Sequence, residues 1–120
     1  GLILSVVFQL AHVMEVAEMP LPEENGTMKN TWAIHQLQTT VNFGTKNKIV
    51  NWFTGGLNHQ VEHHIFPHIS HVHYSKIATI VKETAQEFNL PYKEYKTTRK
   101  AIAAHFRYLR EMGLKPAIQA

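Results

Sequence analysis

The chain has 120 residues, 44% of them hydrophobic and 18% charged, and this length fits one small domain. It contains no cysteine, which excludes disulfides and thiolate metal sites, so any metal would be held by nitrogen and oxygen ligands. The formal net charge is only +3.

The opening stretch GLILSVVFQLAHVMEVAEMP contains an apolar run that ends near His12. As a helix, the part before His12 spans about 16 Å, against a hydrocarbon core of ~30 Å, so it cannot cross a bilayer alone. The run is a poor match to a secretory signal because these residues contain no basic leading region and no small-residue cleavage site. We therefore predict that residues 1–17 end a transmembrane helix; the alternative is a buried helix of a soluble domain. Since no initiator methionine precedes the run, we expect a C-terminal fragment.

The next segments predict short helices separated by loops. Residues 19–31 contain two prolines and an Asn-Gly pair, which indicate a loop, and a helix is expected from about Asn30 to Thr40. An apolar group at 49–53 precedes Gly55-Gly56. A further short helix is expected to end at Pro67.

Two longer amphipathic helices follow. The first, about His73 to Asn89, is expected to pack its apolar face on the histidine-rich segment before it; this face contains Tyr74, Ile77, Val81 and Phe88. The second runs from about Thr98 to Met112, with Gly113 at the expected cap. Its predicted buried stripe contains Ala101, Ile102, His105, Phe106 and Leu109. We interpret His105 as a packing residue. The predicted fold class is all-α, with no sheet of consequence.

Bases are concentrated toward the end of the chain. Residues 93–120 carry seven lysines and arginines against two acids, whereas residues 1–92 carry five against seven. Such a basic region fits anionic lipid headgroups, an acidic protein or nucleic acid, and a solvated helix face is the ordinary interpretation. Nucleic-acid binding through residues 93–115 is disfavoured because interleaved aromatics and a recognition motif are missing.

The stretch NHQVEHHIFPHISHVHY, residues 58–74, holds six of the nine histidines. On a helix, positions i, i+3 and i+4 share a face, which groups Gln60, His63 and His64; a competing register groups His59 with His63. Neutral imidazole binds iron, zinc, copper or nickel. The segment therefore predicts a metal site, with a pH-sensitive or solvent-exposed helix as the alternative.

The segment GGLNHQVEHHIFPHI resembles the third histidine box of membrane fatty acid desaturases. Its Gln60-x-x-His63-His64 form is similar to the front-end subgroup, in which glutamine replaces the first histidine. The resemblance covers most of the chain to about residue 90. It extends to three other stretches, FQLAHVMEV, WAIHQLQTTVNF and HVHYSKIA.

This resemblance implies a di-iron enzyme that uses dioxygen and two electrons to introduce a cis double bond into an acyl chain. It makes His63 and His64 iron ligands, His12 a further ligand from outside the boxes, and Gln60 a weak, water-mediated or orienting ligand. His12 should then lie toward His63 and His64 in the fold. His59 is expected to support the ligands at most, and the histidines after Pro67 are assigned to structure or support; they are His68, His71 and His73.

The resemblance also implies partners and a location. We expect a fatty acyl substrate, membrane lipid, and an electron donor such as cytochrome b5 or a ferredoxin, but no nucleic acid. The protein would be integral to a membrane, with residues 18–120 forming a helical region on the cytoplasmic face. The first two histidine boxes do not occur in these 120 residues. The chain alone is therefore expected to be inactive, and the function belongs to a longer parent.

The sequence leaves two other functions open. A zinc- or nickel-binding helical module would use His59, His63 and His64 without any upstream sequence. A related membrane hydroxylase or ketolase shares histidine boxes and differs in its product.

Overall fold

The computed structural model describes residues 1–14, 16–17, 20, 23–24 and 31–114. Most of these residues are helical, which confirms the helical fold class. The helices are α1 (Leu2–His12), α2 (Trp32–Thr39), α3 (Lys48–Phe53), α4 (Gln60–Ile65), α5 (Tyr74–Glu87) and α6 (Thr98–Leu114), with a 3₁₀ turn at His71–His73. Two short strands, β1 (Asn42–Phe43) and β2 (Glu94–Tyr95), complete the described elements.

The two strands pair in parallel, with Asn42 opposite Glu94 and Phe43 opposite Tyr95. Strand β1 also bonds to the segment before α4, since the backbone N–H of Phe43 donates to the carbonyl of Asn58 at 3.0 Å. The pairing thereby fixes the chain on both sides of the histidine-rich segment. It is too short to count as a sheet of consequence.

The apolar core lies between α1, β1 and α6. It contains Leu10, Met14, Val41, Phe43, Ala101 and Ala104, each at most 5% exposed. His105 closes this core as a buried packing residue, as expected, since its Nδ1 lies 2.7 Å from the Val13 carbonyl and its Nε2 lies 3.1 Å from Oε1 of Gln9. These contacts join α6 to α1.

Helix α1 ends at His12, where the apolar run was predicted to end. Among the described residues, none of the helices is long and apolar enough to span a membrane. The transmembrane assignment of residues 1–17 therefore stays a prediction. Most of the predicted loop at 19–31 lies outside the described residues.

The predicted face of α5 is correct at its start and wrong at its end. Tyr74 is 3% exposed and packs beside the box, but Phe88 is 66% exposed. The reason is that α5 ends at Glu87 and the chain then reverses through Asn89, whose φ is 53°. Phe88 thus leaves the helical face before it reaches the core.

The predicted stripe of α6 is too wide, and the predicted cap is wrong. Ala101, Ala104 and His105 form the buried face, whereas Phe106 is 66% exposed and Leu109 43%. Helix α1 covers only this narrow set of i, i+3 and i+4 positions. The helix continues through Gly113 to Leu114, so Gly113 is not its cap.

Candidate functional site

The turn before α4 sets the direction of this helix, which is called the box helix because it carries Gln60, His63 and His64. Gly55 and Gly56 have φ values of 58° and 78°, in the left-handed region that glycine adopts without strain. The N–H of His59 then donates to the carbonyl of Gly56 at 2.9 Å, and α4 begins at Gln60. Pro67, which lacks a backbone N–H, follows the end of the helix and prevents its continuation.

A buried polar network fixes α4 against β1. The side chain of Asn42 accepts a hydrogen bond from the N–H of Val61 at 2.9 Å and donates to the carboxylate of Glu62 at 2.8 Å. The hydroxyl of Tyr92 donates to the other oxygen of Glu62 at 2.9 Å. Glu62 is fully buried, so these donors satisfy a group that would otherwise be costly to desolvate.

The remaining face of α4 brings its histidines next to the end of α1. The ring centroids of His12 and His64 are 5.0 Å apart, and those of His63 and His64 are 5.7 Å apart. His12 thus lies toward His63 and His64, although it is 51 positions from His63 in the chain. The fold gathers the three histidines that the sequence grouped as ligand candidates.

The rings of His63 and His64 are each held by a partner from another part of the fold. Nδ1 of His64 lies 2.9 Å from Oε1 of Gln36 on α2, and Nδ1 of His63 lies 3.2 Å from the hydroxyl of Tyr74 on α5. One nitrogen of each of these two rings is thereby engaged, which is the usual arrangement around metal-ligating histidines, whose second nitrogen binds the metal. Burial lowers the pKa of His12, and the Thr39 backbone acts in the opposite direction.

Burial favours the neutral form of the central histidine. Desolvation, followed by the neighbouring rings of His12 and His63, lowers the pKa of His64 to about 4. A neutral imidazole has a free lone pair, so the ring is in the form that a metal requires.

Gln60 lies at the start of the same helix and is 1% exposed. Neither its amide oxygen nor its amide nitrogen has a hydrogen-bond partner among the described residues. A buried amide without partners costs free energy, so this side chain has unused capacity to bind a polar group. Gln60 and the three imidazoles are the types of donor that the resemblance predicts for the site.

Within the described ranges, however, no three histidine, aspartate or glutamate side chains are disposed so that they could hold a metal ion together. The three histidines are neighbours, and their role as ligands stays a prediction.

The other histidines occupy different surroundings. His59 is 2% exposed, with Nε2 3.4 Å from the Ser75 hydroxyl and Nδ1 3.6 Å from the carboxylate of Glu62. Its ring therefore contacts α5 and the polar network. The histidines after Pro67, namely His68, His71 and His73, are exposed.

Sequence reasoning did not assign roles to Gln36, Thr39, Asn42 or Tyr92. A signal for two of them was present: Gln36 and Asn42 lie in WAIHQLQTTVNF, which was matched as a whole without individual roles. Asn42 and four other positions of that stretch are buried, namely Leu37, Thr40, Val41 and Phe43. Tyr74 was assigned to packing, and its hydroxyl was not recognised as a partner of His63.

Comparison with known proteins gives a consistent set of relatives. The family model described as fatty acid desaturase matches residues 1–96. The chain is 48% identical over 114 residues to the sn-1 linoleoyl-lipid 6-desaturase of Synechocystis sp., with 94% of the chain and 32% of that protein covered. It is 47% identical to the protein of the same name from Arthrospira platensis, with 100% of the chain and 32% of the relative covered.

A plant relative extends this set. The acyl-lipid (8-3)-desaturase of Physcomitrium patens is 43% identical over 114 residues, with 95% of the chain and 24% of the relative covered. The chain thus spans about a third or less of the length of these relatives. No solved structure matches it significantly.

Proposed function

Because this chain belongs to the fatty acid desaturase family, we propose that it supplies His12, His63 and His64 to the di-iron centre of a membrane-bound lipid desaturase. The parent enzyme would introduce a cis double bond into an acyl chain, with dioxygen as co-substrate and two electrons from cytochrome b5 or a ferredoxin-type donor. An acyl group carried on a lipid is the proposed substrate, since several relatives are named as acyl-lipid or linoleoyl-lipid desaturases.

One observation carries this proposal: the ring centroid of His64 lies 5.0 Å from that of His12 and 5.7 Å from that of His63, and His63 and His64 each have an outer partner. A histidine that only packs in a core does not require neighbours of the same type. Three neighbouring imidazoles, two of them with one nitrogen engaged, fit a metal centre better than a solvent-exposed histidine helix.

Iron with dioxygen, when bound, supplies the oxidising power that removal of hydrogen from an unactivated methylene requires and that amino-acid side chains lack. The chain's own residues orient the ligands. Gln36 and Tyr74 fix the rotation of the His64 and His63 rings. Asn42 holds α4 itself through the N–H of Val61 and the carboxylate of Glu62. The amide of Gln60 is available to hydrogen-bond a water or the substrate beside these rings.

The proposal is tested by replacing His63 or His64 with alanine in the full-length desaturase that contains this chain. Each variant should lose most of its bound iron, because alanine cannot bind the metal. Its fatty acid product should therefore fall below detection. His12→Ala should also lose iron. Iron is measured by mass spectrometry of the purified enzyme, and the fatty acid product by gas chromatography.

The matched control is His68→Ala, since His68 is exposed. His105 is a poorer control than the sequence indicated, because alanine there would leave the Val13 carbonyl unpaired and destabilise the fold. Full iron content and wild-type product in either box variant would contradict the ligand assignment. A hydroxylated product from the native enzyme would instead favour the related hydroxylases.

A further inference from the structure

The surface formed by α1, α3 and the start of α6 carries two adjoining concavities. The first, called the apolar groove, has a volume of about 390 Å³ and a nearly uniform hydrocarbon lining. Residues that line it include Ile3, Val6, Val7, Ile49, Phe53 and Ile102. Its volume lies within the ~300–1,000 Å³ typical of sites for small ligands.

The second concavity, called the basic pocket, has a volume of about 720 Å³. Four cationic side chains line it, Lys46, Lys48, Lys96 and Arg99. No carboxylate is among the lining residues. Burial raises the pKa of Glu94, but Thr45, Lys82 and, to the smallest extent, Lys46 together lower it. Lys46 thus has a nearby carboxylate, and the other three cations are the more available ones.

The two concavities are adjacent. Ile49, Val50 and Thr98 line both of them, so the basic pocket and the apolar groove meet along the start of α3. Beside this junction, α3 exposes unusually apolar side chains: Ile49 is 78% exposed, Trp52 82% and Phe53 61%. Large exposed apolar patches on soluble surfaces mark interaction sites.

We propose that this surface binds one anionic phospholipid, with the phosphate of its headgroup in the basic pocket and one acyl chain in the apolar groove. The charge pattern selects this occupant: a hydrocarbon-lined groove beside a cationic pocket with no lining carboxylate is complementary to an amphiphile with a negative head. A neutral apolar partner would supply no counter-charge to Lys48, Lys96 and Arg99. This proposal rests on the proposed function only in placing the protein at a membrane.

The site is separate from the histidine cluster. Leu10 lines the groove, and His12 follows it by two residues on α1, which turns the two side chains about 200° apart around the helix axis. The bound lipid is therefore a docking lipid that orients the protein on the bilayer, and its acyl chain lies on the face of α1 away from His12.

The test uses the purified full-length desaturase in detergent, with phosphatidylglycerol that carries a photoreactive diazirine in its acyl chain. Cross-linked peptides are identified by mass spectrometry. Label from phosphatidylglycerol should concentrate on the peptides of α1 and α3 and exceed label from the matching phosphatidylcholine probe. High salt should reduce this difference, because it screens exposed charges.

The triple variant Lys48→Gln/Lys96→Gln/Arg99→Gln should reduce phosphatidylglycerol labelling about tenfold, to the phosphatidylcholine level. The control Lys76→Gln/Arg107→Gln/Arg110→Gln removes the same charge from exposed residues elsewhere and should label as the wild type does. The charge-retaining variant Lys48→Arg/Lys96→Arg/Arg99→Lys should also label normally, which separates lost charge from lost folding.

Equal labelling by the two lipids overturns the proposal, and so does an equal loss in both triple variants. Iron content is measured on the same samples and should be unchanged in the pocket variant. Failure of the proposed function would appear as unaltered iron in His63→Ala, whereas failure of the lipid site would appear in labelling alone.

Discussion

Oε1 of Gln36 lies 2.9 Å from Nδ1 of His64, so a residue of α2 fixes the ring of the second box histidine. The contact spans 28 positions of the chain and crosses from α2 to α4. It gives a physical role to the glutamine of WAIHQLQTTVNF. If His64 is an iron ligand, Gln36 determines which nitrogen faces the metal.

Gln36→Leu should therefore weaken iron binding and activity by about 10- to 100-fold, the range typical of lost outer partners of metal ligands. The volume of the side chain is nearly retained, so the main loss is the acceptor for the His64 ring. Iron affinity is measured by competition with a chelator. Gln86→Leu, an exposed position on α5, is the control and should behave as the wild type; equal iron affinity in Gln36→Leu would show that the contact does not orient His64.

Gln60→Ala should impair activity severely while lowering iron content less than His63→Ala does. The amide of Gln60 is buried and has no partner among the described residues, so it is suited to hydrogen-bond a water or the substrate. An amide oxygen is a weaker ligand than imidazole. Product and iron are measured on the same purified samples, and an iron loss as large as that of His63→Ala would make Gln60 a direct ligand.

The two glycines before the box provide a matched pair. A Cβ on Gly55 would meet no atom within 4 Å, whereas a Cβ on Gly56 would lie 2.8 Å from Cβ of His71. Gly55→Ala should cost about 1–2 kcal/mol, the strain of a left-handed backbone. Gly56→Ala adds a steric clash that moves the 3₁₀ turn, so it should be less stable and should also lose iron. Thermal unfolding and iron content measure both effects, and equal stability of the two variants would contradict the clash.

Much of the candidate site follows from local pattern. The i, i+3, i+4 spacing of Gln60, His63 and His64 indicates a shared face whatever the rest of the chain does. His12 needed the resemblance to a known family, because a single histidine at the end of an apolar run carries no information about its partner. The outer partners could not be predicted, since hydrogen bonds across tens of residues depend on tertiary packing.

The errors in the fold have a different cause. The apolar positions of α5 and α6 show that these helices have an apolar face, but periodicity does not show how much of that face a neighbour covers. Phe88 and Phe106 are both 66% exposed for this reason. Likewise, Gly113 permits a helix end without requiring one, and the strand pair of two residues is too short to produce an alternating pattern.

The Tyr92 hydroxyl supports α4 from outside that helix. The Tyr92 hydroxyl donates to the buried carboxylate of Glu62 and accepts from Asn42 at 2.8 Å, and burial followed by the charge of Glu62 raises the pKa of Tyr92, so it remains a neutral donor. Tyr92→Phe should lower the free energy of unfolding by about 1.5–3 kcal/mol, the usual value of a hydrogen bond to a charged group.

Thermal unfolding of the full-length protein measures the effect of Tyr92→Phe, with Tyr108→Phe as the control for loss of a hydroxyl on α6. Below the unfolding temperature, the iron content of Tyr92→Phe should equal that of the wild type, because Asn42 still holds both Val61 and Glu62 at the start of α4. A stability equal to that of Tyr108→Phe would show that Asn42 alone satisfies the buried carboxylate.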